Sequence, residues 1–490
     1  MEFTKLTIPE IHKEFHTKKT TALELVQRAI EVIEKKEKNL GAFISLDIEA
    51  ALKAAEKVDE RIEKGEELGI LEGIPFALKD NIMMKDKNVT CGSKILEDFV
   101  APYDATVVER LKKAGAIVIG RTNMDEFAMG SSTETSFFKK TRNPHDFNRV
   151  PGGSSGGSAV AVASGEVVFG LGSDTAGSVR QPAAFCGVVG LKPTYGTVSR
   201  YGLVAMASSL DQIGPLARNI IDTVLVQSVI QGADERDATC VSDERNNPVY
   251  DLESIQNLGV KDLKIGIPKE YFTKGLDKRI AEKIGEAVEL LKKQGAQVIL
   301  VSLPHTEYAI ATYYILCPAE VSANLERYDG IRYGYSAAVD SDEETKNLFD
   351  VYFKSREKGF GNEVKRRILL GTYVLSEGYY NAYYLKAQKV RTLIAEDFKK
   401  VFRQVDILVT PTTPTLPFKL GEKLDDPLQM YLSDVCTVPA SLAGVPALSL
   451  PCGIVYENGK KLPVGIQLIA DYFKESLLFQ VGYAIEKLQK

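Results

Sequence analysis

The stretch Pro151-Gly-Gly-Ser154-Ser-Gly-Gly-Ser158-Ala-Val-Ala-Val-Ala163-Ser-Gly-Glu-Val167-Val-Phe-Gly-Leu171-Gly-Ser-Asp174-Thr-Ala-Gly177-Ser178 decides how this chain is read. Its glycines and serines would suit a flexible linker. Apolar material begins at once, however, over 159–163 and 167–171, which places the segment inside a core. Two motif readings compete with the linker. A phosphate cradle needs a Lys-Ser or Lys-Thr pair after the glycines, and none follows. A hydrolase elbow matches Gly152-Gly-Ser154-Ser-Gly156 in letters, but that motif needs a buried strand before it and a histidine partner after it. Asp146-Phe-Asn-Arg-Val-Pro151 is no strand, and only His305 lies downstream.

The remaining reading is catalytic. Cleaving an amide takes an activated nucleophile, a base, and donors for the tetrahedral oxyanion. Ser178 opens a short predicted helix over 179–185, so the backbone N–H groups of Thr175, Ala176, Gly177 and Ser178 are candidate oxyanion donors. Small side chains at 176 and 177 would let a carbonyl come close. With four histidines in the chain, and none nearby in sequence that fits, the base must be another residue. Lys79, closing the apolar run 74–78, is the candidate. A lysine acts as a base only when largely neutral, and burial is what lowers its pKa. Reaching about 7–8 from 10.4 takes roughly 3–5 kcal/mol of differential stabilisation. Taken alone, a lysine at a strand end reads equally well as a surface charge.

Outward from this segment, helices and short apolar runs alternate. A helix capped by Thr21 and Glu24 carries Leu25, Val26, Ala29, Ile30 and Ile33 on one face, and a second helix covers 48–63. Buried strands are predicted at 74–78, 116–119 and 167–171, with a helix over 105–114 ended by Gly115. A polar excursion without periodicity fills 232–253. A strand follows at 264–268, a helix with Ile280, Ile284, Val288 and Leu291, and a strand at 297–301. Residues 308–402 read as almost wholly helical; strands near 407–409, 447–450 and 464–469 and a closing helix complete the chain. This alternation predicts an α/β fold with a large mixed sheet covered by helices on both faces. We divide it as one unit over 1–490: N-terminal helices 1–70, a catalytic core 71–231, a surface excursion 232–262, a mainly helical insertion 305–402, and core strands with a helix over 403–490.

Composition narrows the function classes. Hydrophobic residues make up 44% of the 490 and charged residues 26%, a globular balance. A net charge of −5 speaks against this chain gripping nucleic acid by itself, because such affinity comes mostly from neutralising phosphates. The start MEFTKLTIPEIHKEF has no apolar signal region, and the longest apolar stretch, 440–456, is broken by Pro446 and Pro451; neither a secretory signal nor a membrane span is expected. Six scattered cysteines without a C-x-x-C pair are expected to be reduced thiols in a cytoplasmic protein, and no metal site is expected.

Gly152-Gly-Ser-Ser-Gly-Gly-Ser158, with Gly172-Ser-Asp-Thr-Ala-Gly-Ser-Val-Arg-Gln-Pro182 and Gly73-Ile-Pro-Phe-Ala-Leu-Lys-Asp80, resembles the amidase signature family. The resemblance implies a Ser–cis-Ser–Lys triad: Ser178 as nucleophile, Ser154 as the cis-serine relay and Lys79 as base. Ala176 departs from the glycine that many members carry; a backbone donor tolerates that change. Four further segments, Asn123–Gly130, Ser208–Pro215, Asp329–Tyr335 and Phe360–Ile368, resemble the branch that supplies ammonia for tRNA-dependent amidation. That likeness implies a glutamine substrate, with Arg367 on its α-carboxylate, Asp434 on its α-ammonium, and Tyr313, Met129 and Gly130 lining the pocket. It also implies a heterotrimer. A B subunit would use ATP and Mg²⁺ and contact the tRNA, a small C subunit would clasp the two chains, and no cofactor would sit in this chain. From the residues alone, Arg367 could be a solvated position in the run Lys365-Arg-Arg, and Asp434 a helix cap. A free-standing amidase for small amides and a non-catalytic scaffold are the rival readings. A zwitterion clamp separates the first from a glutaminase, and an intact triad argues against the second.

Overall fold

Strands apolar on both faces need cover on both sides, and helices supply it here. The computed structural model describes residues 5–246, 250–257, 259–273 and 275–489. Its strands are β1 (Phe43–Leu46), β2 (Pro75–Lys79), β3 (Ile117–Thr122), β4 (Phe169–Asp174), β5 (Val189–Lys192), β6 (Gln212–Ala217), β7 (Lys264–Pro268), β8 (Gln297–Val301), β9 (Ile407–Pro411), β10 (Ala447–Glu457) and β11 (Lys460–Ala470). They form one sheet in the order β1-β3-β2-β4-β6-β5-β10-β11-β9-β7-β8. β2 runs parallel to both β3 and β4, whereas β4 and β6 are antiparallel, so the sheet is mixed as expected. Every residue of β2, β3, β4 and β6 is buried, which explains why they read as apolar runs without alternation.

The helix Ile48–Glu63 and the strands at 264–268 and 297–301 match the sequence reading residue for residue. Elsewhere the structure corrects it. Thr21 accepts the N–H of Glu24 at 3.1 Å, but the Glu24 carboxylate turns to the hydroxyl of Thr20 (2.9 Å) instead of closing a capping box. A complete box forms one helix earlier, at Thr7 and Glu10. The 308–402 segment is helical in Ala309–Asn324, Leu348–Gly359, Asn362–Leu375 and Lys386–Val401, with a π-helical turn at Tyr380–Leu385. Between 328 and 347 the helix gives way to turns. Gly330 and Gly334 sit at φ +74° and +80°, and Asp329 Oδ1 accepts the N–H of Ile331 at 2.9 Å, a side-chain bond that competes with helix. In the excursion 232–262, residues 247–249 and 258 lie outside the described set, as do residues 1–4 of the N-terminal stretch. The described part holds a short helix, Leu252–Asn257, and is tied to the core by Val241 N–H on the Gly196 carbonyl (2.8 Å). No helix among the described residues is long and apolar enough to cross a membrane.

Candidate active site

β2 ends on Lys79, and the neighbouring parallel strand β4 ends on Asp174, with Leu78 beside Leu171 in register. Their carboxyl ends therefore open on one side, the side where parallel α/β sheets gather ligands. The loop 151–155 lies against this edge and runs straight into the helix Gly156–Ala163, so it is no linker: Ser154, Ser155 and Lys79 all have 0% exposure. The elbow reading also fails on histidine, since His305 is engaged by Asp397 (Nδ1 to Oδ1, 3.0 Å) and His145 by the Cys186 carbonyl.

Lys79 Nζ lies 2.8 Å from Ser154 Oγ, 2.9 Å from Ser155 Oγ and 3.0 Å from Ser173 Oγ. No carboxylate shares its hydrogen bonds among the described residues. Burial lowers its pKa to about 7, against the opposing pull of Asp125, Asp174 and Asp211. A neutral amine has two N–H donors and one lone pair. Three surrounding hydroxyls match that count: two can accept, and the third can hand its proton to the lone pair.

The Gly153–Ser154 peptide is cis. Gly152 holds φ +83°, and a Cβ there would fall 2.4 Å from Gln181 Oε1. That same oxygen accepts the N–H of Gly153 at 2.8 Å, so the loop is seated on Gln181. Ser178 is attached through its backbone, its carbonyl accepting the Ser155 N–H at 3.0 Å. Its hydroxyl makes no hydrogen bond among the described residues, and the side chain keeps 6% exposure where its neighbours have none. The relay contact between Ser154 and Ser178 is thus not formed in this state, and the further hydroxyls on Lys79 are those of Ser155 and Ser173. The turn before Ser178 is fixed by a buried ion pair. Arg180 donates to both oxygens of Asp174 (3.0 and 2.9 Å), and Val179 N–H joins Asp174 Oδ2 at 3.1 Å. With Val179 and Gln181 N–H groups engaged, those of Ala176, Gly177 and Ser178 have no partner among the described residues. The small residue at 177 has a different cause from the one expected. A Cβ there would come 2.2 Å from Thr437 Oγ1, so the room is taken by protein and not kept for a carbonyl.

Arg367 and Asp434 are buried, at 3% and 4% exposure, and neither is a solvated surface position. Arg367 Nε donates to Glu363 Oε1 at 2.8 Å, and Tyr431 Oη donates to the same oxygen at 2.9 Å. The guanidinium also lies 5.3 Å from the Tyr314 ring centre and 5.5 Å from that of Tyr431. Tyr313, expected to line the pocket, packs edge-on against Tyr314 with 2% exposure. Asp434 accepts from Ser131 Oγ at 2.6 Å; burial pushes its carboxyl up to about 7, with Ser131 and Arg367 pulling the other way. Ser131 ties this carboxylate to the serine loop, because its carbonyl accepts Gln181 Nε2 at 2.9 Å. Ser131, Gln181, Ser155 and Ser173 were all missed as site residues. Glu363 had a readable signal, its spacing of four from Arg367 on a helix. The others had none, being ordinary polar residues brought together by the fold.

A family model described as Amidase matches residues 24–479. This chain belongs to the amidase signature family. The amidase is 53% identical over 484 residues to the glutamyl-tRNA(Gln) amidotransferase A chain of Trichodesmium erythraeum, covering 98% of this chain and 97% of that protein. The protein of the same name in Clostridium botulinum is 53% identical over 487 residues, covering 99% and 98%. Among solved structures, its namesake from Thermotoga maritima superposes with a TM-score of 0.79 at 43% identity, covering 99% of this chain and 95% of that one. The native peptide amidase of Stenotrophomonas maltophilia gives 0.79 at 28% identity, covering 99% and 97%.

Two cavities border the amidase site without reaching the serines. One of about 430 Å³ is walled by Glu126, Gly130, Gly361, Glu363 and Tyr431, on the clamp side. Another of about 620 Å³ touches Leu432, Val435, Cys436 and Pro439, in the segment that carries Asp434. Met129 is fully buried, so of the two residues expected to line the pocket only Gly130 faces the smaller cavity. The triad itself is sealed in this state. Among the described residues no group of His, Cys, Asp and Glu is placed to hold a metal ion.

Proposed function

We propose that this amidase is the glutamine-hydrolysing component of a glutamyl-tRNA(Gln) amidotransferase. The observation that carries the chemistry is Lys79, an amine with no exposure, about half neutral near pH 7 and 2.8 Å from Ser154 Oγ. Ser178 Oγ attacks the δ-carbonyl of glutamine while its proton passes to Ser154, whose own proton passes to Lys79. Relay hydrogen bonds that are long in a free enzyme tighten once substrate is bound. The unpartnered N–H groups of 176–178, with Thr175, receive the oxyanion. Lys79 returns the proton through Ser154 to the leaving nitrogen, ammonia departs, and a γ-glutamyl ester remains on Ser178. Water then hydrolyses the ester, giving glutamate and free Ser178.

Two buried, oppositely charged groups support glutamine over an uncharged amide. Arg367 offers a planar fork to the α-carboxylate, and Asp434 offers a carboxylate to the α-ammonium. Tyr313 acts behind Tyr314 as a wall of that pocket, and Met129 and Gly130 form its other side. The relatives are named as subunits of an amidotransferase, which supports a multi-subunit complex. In it a B subunit uses ATP and Mg²⁺ to activate glutamyl-tRNA and a C subunit joins the two chains, while ammonia from this chain is consumed before it meets bulk water. The division into segments given above, on one sheet, goes with this reading. Replacing Ser178 by Ala in the purified complex should abolish glutamate release from glutamine while leaving assembly intact; turnover near the wild-type rate would end the proposal.

A further inference from the structure

Glu126 is a buried carboxylate, 3% exposed, for which the chemistry above has no use. It opens the turn Glu126–Ala128, where Phe127 and Ala128 hold φ +47° and +62°. Left-handed backbone at residues with side chains survives where the surroundings over-determine it. Here they do. Glu126 Oε2 accepts the N–H of Gly361 at 2.9 Å, and Oε1 accepts the same N–H at 3.1 Å and Ser93 Oγ at 2.5 Å. Gly361 is the N-cap of the helix Asn362–Leu375 and has no side chain to cap it. A carboxylate from 235 positions away supplies both the acceptor and the negative charge that a helix N-terminus favours. A Cβ at 361 would fall 2.3 Å from Glu126 Oε2, so this close approach requires glycine. Ser93 Oγ also donates to the Gly359 carbonyl (3.2 Å), securing the chain just before the cap.

What hangs on this knot is the clamp. Glu363 and Arg367 lie in the first two turns of the same helix, and Arg367 is bonded to Glu363. Glu126, Gly130, Gly361 and Glu363 share one cavity wall. We propose that Glu126 is a positioning residue for glutamine recognition. It fixes the helix Asn362–Leu375, and with it Arg367, relative to the turn that bears Met129 and Gly130. It has no hydrogen bond to Lys79, Ser154 or Ser178, so it governs substrate affinity and leaves the nucleophile unchanged. This inference rests on the glutaminase reading above.

The test uses the complete complex carrying Glu126→Gln or Ser93→Ala. Two quantities are measured: kcat and KM for glutamine, and the rate of Ser178 inactivation by phenylmethylsulfonyl fluoride, an uncharged probe that needs no clamp. Weakening a charged hydrogen bond at the cap should raise KM about tenfold in Glu126→Gln and about threefold in Ser93→Ala. Both kcat and the inactivation rate should stay within about twofold of wild type. Unchanged KM in both variants overturns the proposal. A parallel fall of kcat and inactivation rate also overturns it, because that marks a general structural role. If Glu126→Gln does not fold, Ser93→Ala decides alone. The glutaminase reading fails separately, if the wild-type complex releases no glutamate from glutamine.

Discussion

Lowering the pH from 8 to 6 should disable this amidase through two protons landing at two different buried groups. Lys79 must be neutral to accept a proton, and burial sets its pKa at about 7. Asp434 must be ionised to read an ammonium, and burial sets its pKa at about 7 as well. For one group titrating at 7, the active fraction falls from about 90% at pH 8 to about 10% at pH 6, close to tenfold. Inactivation by phenylmethylsulfonyl fluoride needs only Lys79 and should fall by about that factor. The kcat/KM for glutamine needs both groups in the free enzyme and should fall about a hundredfold, with a limiting slope of two below pH 6. Asp434→Asn should return the glutamine profile to a slope of one, at a uniformly lower level. The assay is stopped-time glutamate release by the complex, run beside inactivation at the same pH values. A sulfonyl fluoride rate that is flat from pH 6 to 8, or still climbing beyond pH 9, would refute a neutral Lys79. Equal slopes for the two reagents would refute the role of Asp434.

Lys79 should also cost the fold stability. Its unfolded pKa is the ordinary 10.5 and its folded pKa about 7. Below pH 7 both states carry the ammonium, and between about 7 and 10.5 only the unfolded chain binds the proton, so stability rises with pH there by up to about 1.4 kcal/mol per unit. Lys79→Met should be inactive and should lose that slope in denaturant titrations at pH 7.5 and 9; an unchanged slope would contradict the assigned burial. Arg367→Met should raise KM for glutamine at least about a hundredfold, equivalent to 2–3 kcal/mol for a buried charge left without its partner, while sulfonyl fluoride inactivation stays within about twofold. Arg180→Met strands the fully buried Asp174 carboxylate and should lower unfolding free energy by about 3–5 kcal/mol; a loss below about 1 kcal/mol in equilibrium denaturation would show that Asp174 finds another partner.

Much of the sheet was legible because its central strands are buried on both faces. Runs such as 74–78, 116–119 and 167–171 carry little besides apolar residues, and helices with a clear stripe separate them. Their ends were less legible. The strand in the structure runs on to Lys79 itself, a charged residue that ends the apolar pattern while continuing the ladder. The segment 328–347 read as helix because its composition does not oppose one, and only its glycines and Asp329 hinted at turns. Arg367 and Asp434 drew their roles from resemblance, since a lone arginine in a basic run has no local sign of burial.

By itself, the sequence determined which residue types were on hand: one lysine closing an apolar strand, a run of serines with bare backbone between them, and no histidine fit to serve as a base. Chemistry by a neutral lysine followed from that shortage. Only the tertiary structure decided that Ser155 and Ser173 join Ser154 around the amine, that Gln181 and Ser131 link the serine loop to Asp434, and that Glu126 reaches the cap of the Arg367 helix. Those contacts span tens to hundreds of residues, and each depends on distances below about 3.5 Å that no local pattern encodes. The pKa of Lys79 belongs to the same class, because it is set by what surrounds the amine in space and not by its neighbours in the chain.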